Sequence, residues 1–321
     1  VPGAELTSYF FPPDTDAAYC EKVRALADKR GVRITGSAIG NTYTNPPGEK
    51  RDQELAYTRK WVDFCAILGA PHIRVFAGAA PKGMSLEQGV KNCIETYQMA
   101  LDYAATKKVF LGIENHGGVV AEPEQLIDII RAAKSEYAGI NFDSGNFHTE
   151  DPYADLAKIA PYTVNVQLKV DIKRKGAAKE EPSDIPRVIK ILRDVNYSGW
   201  FTLEYERKDD PFVEMPKYVQ LLKPRVNNEE GCRSPAAPPR STPHLSLAAS
   251  RPTAPDSAAR LRLYASGMRG LFQRSASMMP AKSSPAANRS WLSPTRVECA
   301  LTPFSNRARS SAVRSGRAPR S

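Results

Sequence analysis

The 321-residue chain lacks several features that identify whole classes of protein. No apolar run approaches the roughly 18 residues that a membrane-spanning helix needs, so we expect no membrane partner. The five cysteines are an odd number without a CxxC pair, which is typical of neither a disulfide framework nor a zinc ribbon. No GxGxxG motif occurs, so the sequence gives little support to a dinucleotide-binding fold.

Charge is distributed unevenly along the chain. The formal net charge of +10 comes from residues 225–321, where 15 arginines and one lysine face four acidic residues. Residues 1–224 carry 29 basic and 31 acidic side chains, a net charge of −2. The basic character of the whole chain therefore does not predict a nucleic-acid partner for residues 1–224.

Residues 225–321 also differ in composition, because Ser, Ala, Arg and Pro make up 59 of these 97 residues. Such a segment has too little apolar surface to offset the entropy lost on folding. We therefore predict a disordered C-terminal tail. The alternative is an arginine-rich segment that binds RNA or an anionic surface by charge.

Residues 1–224 alternate short β-branched runs with amphipathic segments, a pattern that predicts a parallel sheet covered by helices. A (β/α)₈ TIM barrel has eight strands, and seven are countable here. A barrel that lacks its first β/α unit accounts for this number and for the start at Val1. The predicted strands are Ala4–Tyr9, Arg33–Ile39, His72–Phe76, Val109–Glu114, Gly139–Phe142, Thr163–Leu168 and Trp200–Glu204.

Four successive predicted strands end with an oxygen-bearing side chain on the face opposite their apolar residues. Active-site groups of TIM barrels come from these C-terminal strand ends. Carboxylates that meet at one barrel mouth repel one another, and a divalent cation removes the repulsion. Ligands that are all oxygen favour Mg²⁺ or Mn²⁺. For each carboxylate alone, a helix cap or a lysine partner is the alternative. The four predicted metal ligands are Glu114, Asp143, Gln167 and Glu204.

Four further side chains are candidates for substrate binding. His116 shares the strand face of Glu114, and His148 follows Asp143 on a loop; for both, an ordinary loop histidine is the alternative. Arg74 and Lys169 are cations on inward-facing positions, so either could hold a phosphate or carboxylate. The alternative is that they neutralise carboxylates of the barrel itself: Glu5, Glu204 or Glu206.

Several segments together resemble the xylose isomerase-like TIM-barrel superfamily of sugar phosphate isomerases and epimerases. The resemblance extends from about Gly3 to Leu222 and is carried by GAELTSYFFP, HIRVFAG, GIENHGG, GINFDSGNFHTEDPY, NVQLKVDI and GWFTLEYE. It implies one divalent metal on the four predicted ligands, with Glu114 and Glu204 as catalytic acid and base. Glutamine at the third ligand position is more similar to the hydroxypyruvate isomerase branch than to the ketohexose epimerases.

The resemblance thus implies a metal-dependent isomerase or epimerase that works through a metal-stabilised enediolate, on a small sugar or hydroxy-keto acid. A dehydratase-type lyase of the same superfamily is an alternative, and so is a barrel fragment that only binds sugar or is defective. An abasic-site endonuclease of the superfamily needs a histidine-rich zinc site, which three histidines in residues 1–224 do not supply. Unpaired cysteines and the lack of an export signal predict a cytoplasmic protein. Loss of a β/α unit would expose two strand edges that can pair with another chain, so a homo-oligomer is a further possibility.

Overall fold

A computed structural model describes residues 3–227, in which strands and helices alternate except for two short strands that follow the sixth strand. The predicted tail lies outside the described residues, apart from 225–227 at the end of the last helix. The elements in chain order are β1 Gly3–Thr7, α1 Ala17–Lys29, β2 Arg33–Ala38, α2 Glu49–Leu68, β3 His72–Val75, α3 Leu86–Thr106, β4 Phe110–Glu114, α4 Pro123–Ala132, β5 Ala138–Asp143, α5 Pro152–Ile159, β6 Thr163–Lys169, β7 Asp171–Ile172, β8 Glu181–Pro182, α6 Ile185–Asp194, β9 Phe201–Glu204 and α7 Pro211–Asn227.

Seven strands form one parallel sheet in the order β1-β2-β3-β4-β5-β6-β9. The sheet curls into a nearly closed barrel. Side chains of β1 and β6 meet across its interior, where Asn165 donates a 3.0 Å hydrogen bond to Glu5. The short strands β7 and β8 form an antiparallel pair between β6 and α6. The prediction of a TIM-type barrel with seven strands is confirmed, one strand fewer than a complete (β/α)₈ barrel.

Local sequence signals set the ends of the helices. Asp16 and Ser85 accept hydrogen bonds from the first-turn amides of α1 and α3, as N-cap residues do. Gly69 ends α2 with φ 73°, a left-handed conformation that glycine adopts without strain. The first predicted strand, Ala4–Tyr9, ends earlier than expected, at Thr7, because a 3₁₀ turn over Ser8–Phe10 follows β1.

The apolar core lies between the sheet and its helices. Outward-facing strand residues such as Ile113, Ile140, Val166 and Leu203 are buried there. The barrel interior contains buried polar side chains instead, and the candidate functional groups are among them. No helix in residues 3–227 is long and apolar enough to cross a membrane.

Candidate active site

The four predicted ligands lie at or near the C-terminal ends of neighbouring strands, all buried. Glu114 ends β4, Asp143 ends β5 and Glu204 ends β9. Gln167 lies on β6 opposite Asp143 in the parallel register. The alternation of side chains along each strand, which is a property of the sequence, therefore places them at one mouth of the barrel as predicted.

Arg74 on β3 forms an ion pair with Glu114, with 2.9 Å between Nε and Oε2. The guanidinium also donates to the carbonyl of Ile39 and lies 4.1 Å above the ring of Phe76. Burial lowers the pKa of Arg74, but the neighbouring carboxylates outweigh burial and raise it above its ordinary value. The cation thus neutralises the predicted catalytic glutamate.

Lys169 has the same role on the other side of the mouth. Its Nζ lies 3.5 Å from Oδ2 of Asp143 and 2.9 Å from Oε2 of Glu206. Burial raises the pKa of Asp143 well above its ordinary value, and the charges of Glu204 and Glu114 raise it further. The three predicted carboxylate ligands are therefore within electrostatic range of one another.

Asn146, which was not among the site residues predicted from the sequence, connects the carboxylate of Glu114 to the ammonium of Lys169. Its Nδ2 donates to Oε1 of Glu114 at 2.6 Å, and its Oδ1 accepts from Nζ of Lys169 at 2.9 Å. It follows Asp143 by three residues in the segment DSGN. A polar side chain soon after a strand-end carboxylate is the signal that could have identified it.

The donor chemistry fits a hard divalent cation. In the described chain, no three His, Cys, Asp or Glu side chains stand close enough together to hold an ion as they are placed, and Arg74 and Lys169 lie beside the carboxylates. Within residues 3–227, Oε2 of Glu114 and Oδ2 of Asp143 accept no hydrogen bond and form ion pairs with these cations. Carboxylate and amide oxygens with free lone pairs are ligands that Mg²⁺ and Mn²⁺ accept.

Gln167 is tied to the barrel interior. Its Nε2 donates to Oε1 of Glu5 at 3.0 Å, and its Oε1 accepts from Nδ2 of Asn141 at 2.6 Å. Burial raises the pKa of Glu5 to about 7, while the hydrogen bond from Asn165 lowers it. From the sequence, Glu5 was considered only as a carboxylate that Arg74 or Lys169 neutralises. A carboxylate in the middle of a barrel strand was the signal for a wider role.

The two histidines predicted to bind substrate lie on the exposed rim. The ring of His116 lies 4.7 Å from the ring of Phe76, measured between centroids. Burial lowers the pKa of His148, and the positive charges of Lys173 and Lys169 lower it further. The rim and the buried carboxylates are thus on the same side of the barrel.

The family model identifies the family, and the similar solved structures share its fold. Residues 2–225 match the family model of the xylose isomerase-like TIM barrel. No curated protein matches the chain. Similar solved structures include a xylose isomerase domain protein from Planctomyces limnophilus (19% identity, 72% of this chain and 91% of the other, TM-score 0.59) and a D-tagatose 3-epimerase-like protein (17%, 70% and 88%, 0.58). A third is a xylose isomerase-like TIM barrel protein from Mycobacterium smegmatis in complex with magnesium (17%, 65% and 78%, 0.54). The match over residues 2–225 shows that this chain belongs to the xylose isomerase-like TIM barrel family.

Proposed function

We propose that this chain is an isomerase or epimerase of a small sugar, a sugar phosphate or a hydroxy-keto acid. The observation that carries the proposal is the pair of buried glutamates at the barrel mouth. Glu114 and Glu204 end β4 and β9, which are separated in the sheet by β5 and β6. Two carboxylates on separated strands can reach a bound substrate from different sides. Membership of the family and a D-tagatose 3-epimerase-like protein among similar folds support it.

One glutamate takes a proton from the substrate, and the other, which starts protonated, supplies a proton in return. Arg74 and Asn146 hold the carboxylate of Glu114 in place, so that it can take a proton from the carbon beside the substrate carbonyl. Glu204 returns a proton from the other side. Return to the neighbouring carbon, with the hydroxyl proton passing from one oxygen to the other, isomerises the sugar, and return to the opposite face of the same carbon epimerises it.

A divalent ion, Mg²⁺ or Mn²⁺, is part of the proposal. Glu114, Asp143, Gln167 and Glu204 would hold it, and an ion bound there polarises a carbonyl and stabilises developing negative charge. The magnesium complex of the similar fold from Mycobacterium smegmatis supports this choice.

The other cationic and imidazole side chains are proposed to bind substrate. His116 and His148 lie on the rim, where hydroxyl groups of a sugar are within reach. Lys169 and Arg74 lie deeper, beside the carboxylates, and are the candidates for a carbonyl oxygen or an anionic group.

The test is hydrogen exchange in D₂O with Mn²⁺ present, read by NMR over a panel of ketoses, aldoses, their phosphates and hydroxy-keto acids. Turnover should place deuterium on the carbon beside the carbonyl. We expect Glu114→Gln and Glu204→Gln each to lower this rate by about 10²–10⁴-fold, the range for loss of a general acid or base. Exposed Glu21 on α1 provides the control Glu21→Gln, which should keep the wild-type rate.

Circular dichroism establishes that each variant is folded. Retained exchange in either active-site variant contradicts the assignment of that glutamate. The absence of turnover on the whole panel contradicts the proposed function. A product with the absorbance of a conjugated enone identifies a dehydratase instead.

A further inference from the structure

A closed ring of hydrogen bonds joins four side chains in the barrel interior, one of which is the predicted metal ligand Gln167. Asn165 Nδ2 donates to Oε2 of Glu5 at 3.0 Å and to Oδ1 of Asn141 at 2.8 Å. Asn141 Nδ2 donates to Gln167 Oε1 at 2.6 Å, and Gln167 Nε2 donates to Oε1 of Glu5 at 3.0 Å. The ring links β1, β5 and β6.

The carboxylate of Glu5 fixes the direction of the whole ring. Both oxygens of the Glu5 carboxyl group accept hydrogen bonds, from Asn165 and Gln167, whereas each amide has one donating and one accepting end. Gln167 and Asn165 must therefore turn their NH₂ groups toward Glu5. The carbonyl oxygen of Gln167 is then left on the other side of its amide, where Asn141 donates to it.

Burial makes this direction costly to reverse. Glu5 is 2% exposed and Asn141 is wholly buried, while Asn165 and Gln167 are also buried. A flipped Gln167 would turn its oxygen toward the Glu5 carboxylate and its NH₂ toward the NH₂ of Asn141. Both contacts would be repulsive, in a place where unsatisfied polar groups are expensive.

We propose that Glu5 is a positioning residue for Gln167, which keeps Oε1 as the face of the amide available to a divalent cation. The inference depends on the metal site of the proposed function. A carbonyl oxygen has two lone pairs, so the bond from Asn141 leaves one free. Groups that orient metal ligands commonly change metal affinity by about 10–100-fold when they are replaced.

The test measures the dissociation constant of Mn²⁺ for four forms of the full chain: wild type, Glu5→Gln, Gln167→Ala and the double variant. Titrations are made at about pH 8 under nitrogen, above the ordinary carboxyl range and above the raised pKa of Glu5. We expect Glu5→Gln to weaken binding about tenfold, because a glutamine at position 5 lets the Gln167 amide flip. In the Gln167→Ala background, the same change should alter affinity by less than about twofold, because Glu5 then has no Gln167 amide to orient; independent effects would instead add.

The double variant separates positioning from simple charge. If Glu5 acts only as a negative charge near the ion, its removal weakens binding equally in both backgrounds, and the proposal is overturned. Unchanged affinity in Glu5→Gln overturns it as well, and so does a wild type that binds no Mn²⁺. These outcomes concern metal affinity and are distinct from the deuterium exchange that tests the proposed function.

A second measurement needs no metal. The side-chain NH₂ of Gln167 can be assigned in a ¹⁵N–¹H spectrum as the pair of signals absent from Gln167→Ala. In the wild type, we expect these protons to exchange slowly with solvent, and Glu5→Gln should speed their exchange. Equal exchange in both proteins contradicts the orientation role of Glu5.

Discussion

The guanidinium of Arg74 lies 2.9 Å from the carboxylate of Glu114, and the two side chains are only 2% and 4% exposed. Neither charge has access to bulk water, so each depends on the other for compensation. The pair joins β3 to β4 at the barrel mouth. It therefore links the stability of the barrel to the placement of a proposed catalytic group.

Replacement of Arg74 by Ala should lower the free energy of unfolding by about 3–5 kcal/mol, because it leaves a buried carboxylate without its partner. Urea denaturation measures the loss. The control is Lys190→Ala, which removes an exposed helix pair with Asp194 and should cost under about 0.5 kcal/mol. Equal losses in the two variants would show that the Arg74 pair is as weak as a surface pair.

Lys169 should compete with a divalent cation, since its ammonium lies 3.5 Å from Oδ2 of Asp143. In Lys169→Met, we expect a less stable metal-free protein but about tenfold tighter Mn²⁺ binding, because a like charge a few ångströms from the ion is removed. Melting temperatures with and without Mn²⁺ measure both effects. A smaller Mn²⁺-induced rise in Tm than in the wild type would contradict this competition.

His72 should make the free energy of unfolding depend on pH. Burial lowers its pKa to about 3, and the nearby charge of Arg74 also lowers it, while the polar side chain of Asn141 acts in the opposite direction. Between pH 3 and 6.5 the unfolded chain binds this proton and the folded chain does not, so stability is complete above pH 6.5 and is lost as pH falls. Compared with His72→Gln, the wild type should lose about 1.4 kcal/mol of unfolding free energy per pH unit below about pH 6. Parallel curves for the two proteins from pH 4.5 to 7.5 would contradict a buried neutral His72.

Gly36 on β2 makes room for the same imidazole. A Cβ at position 36 would lie closer to Nδ1 of His72 than two such atoms can approach. Gly36→Ala should therefore cost about 1–3 kcal/mol of unfolding free energy, the usual range for overpacking. His72→Ala in the same chain should recover part of that loss, and simple additivity of the two changes would argue against the contact.

The fold was largely predictable from the sequence. Alternating strand and helix signals predicted the seven parallel strands, and the helix ends lie at Asp16, Ser85 and Gly69, residue types that typically cap helices. These signals are local, since caps and side-chain periodicity act within a few residues. The exact end of β1 was missed because a 3₁₀ turn takes up Ser8–Phe10. The roles of the predicted site residues stay predictions.

Partners across the barrel could not be predicted in the same way. The sequence identified Arg74 and Lys169 as inward cations and proposed Glu5, Glu204 or Glu206 as the carboxylates that they neutralise. Lys169 does pair with Glu206, whereas Arg74 forms its ion pair with Glu114. The wider role of Glu5 was missed, since its hydrogen-bond partners Asn165 and Gln167 lie about 160 residues away in the chain. No local pattern encodes which of several inward groups will meet.

By itself, the amino-acid sequence determined the parallel architecture and the inward face of each functional side chain, because both follow from periodicity along single strands. Only the tertiary structure decided which of those inward groups touch. Closure of the sheet brings β1 opposite β6 and so forms the ring that holds Gln167. Packing of β3 beside β4 sets Arg74 against Glu114. The physical reason is that a buried charge or amide must find its partner within hydrogen-bond distance, and only the closed barrel determines which groups are that near.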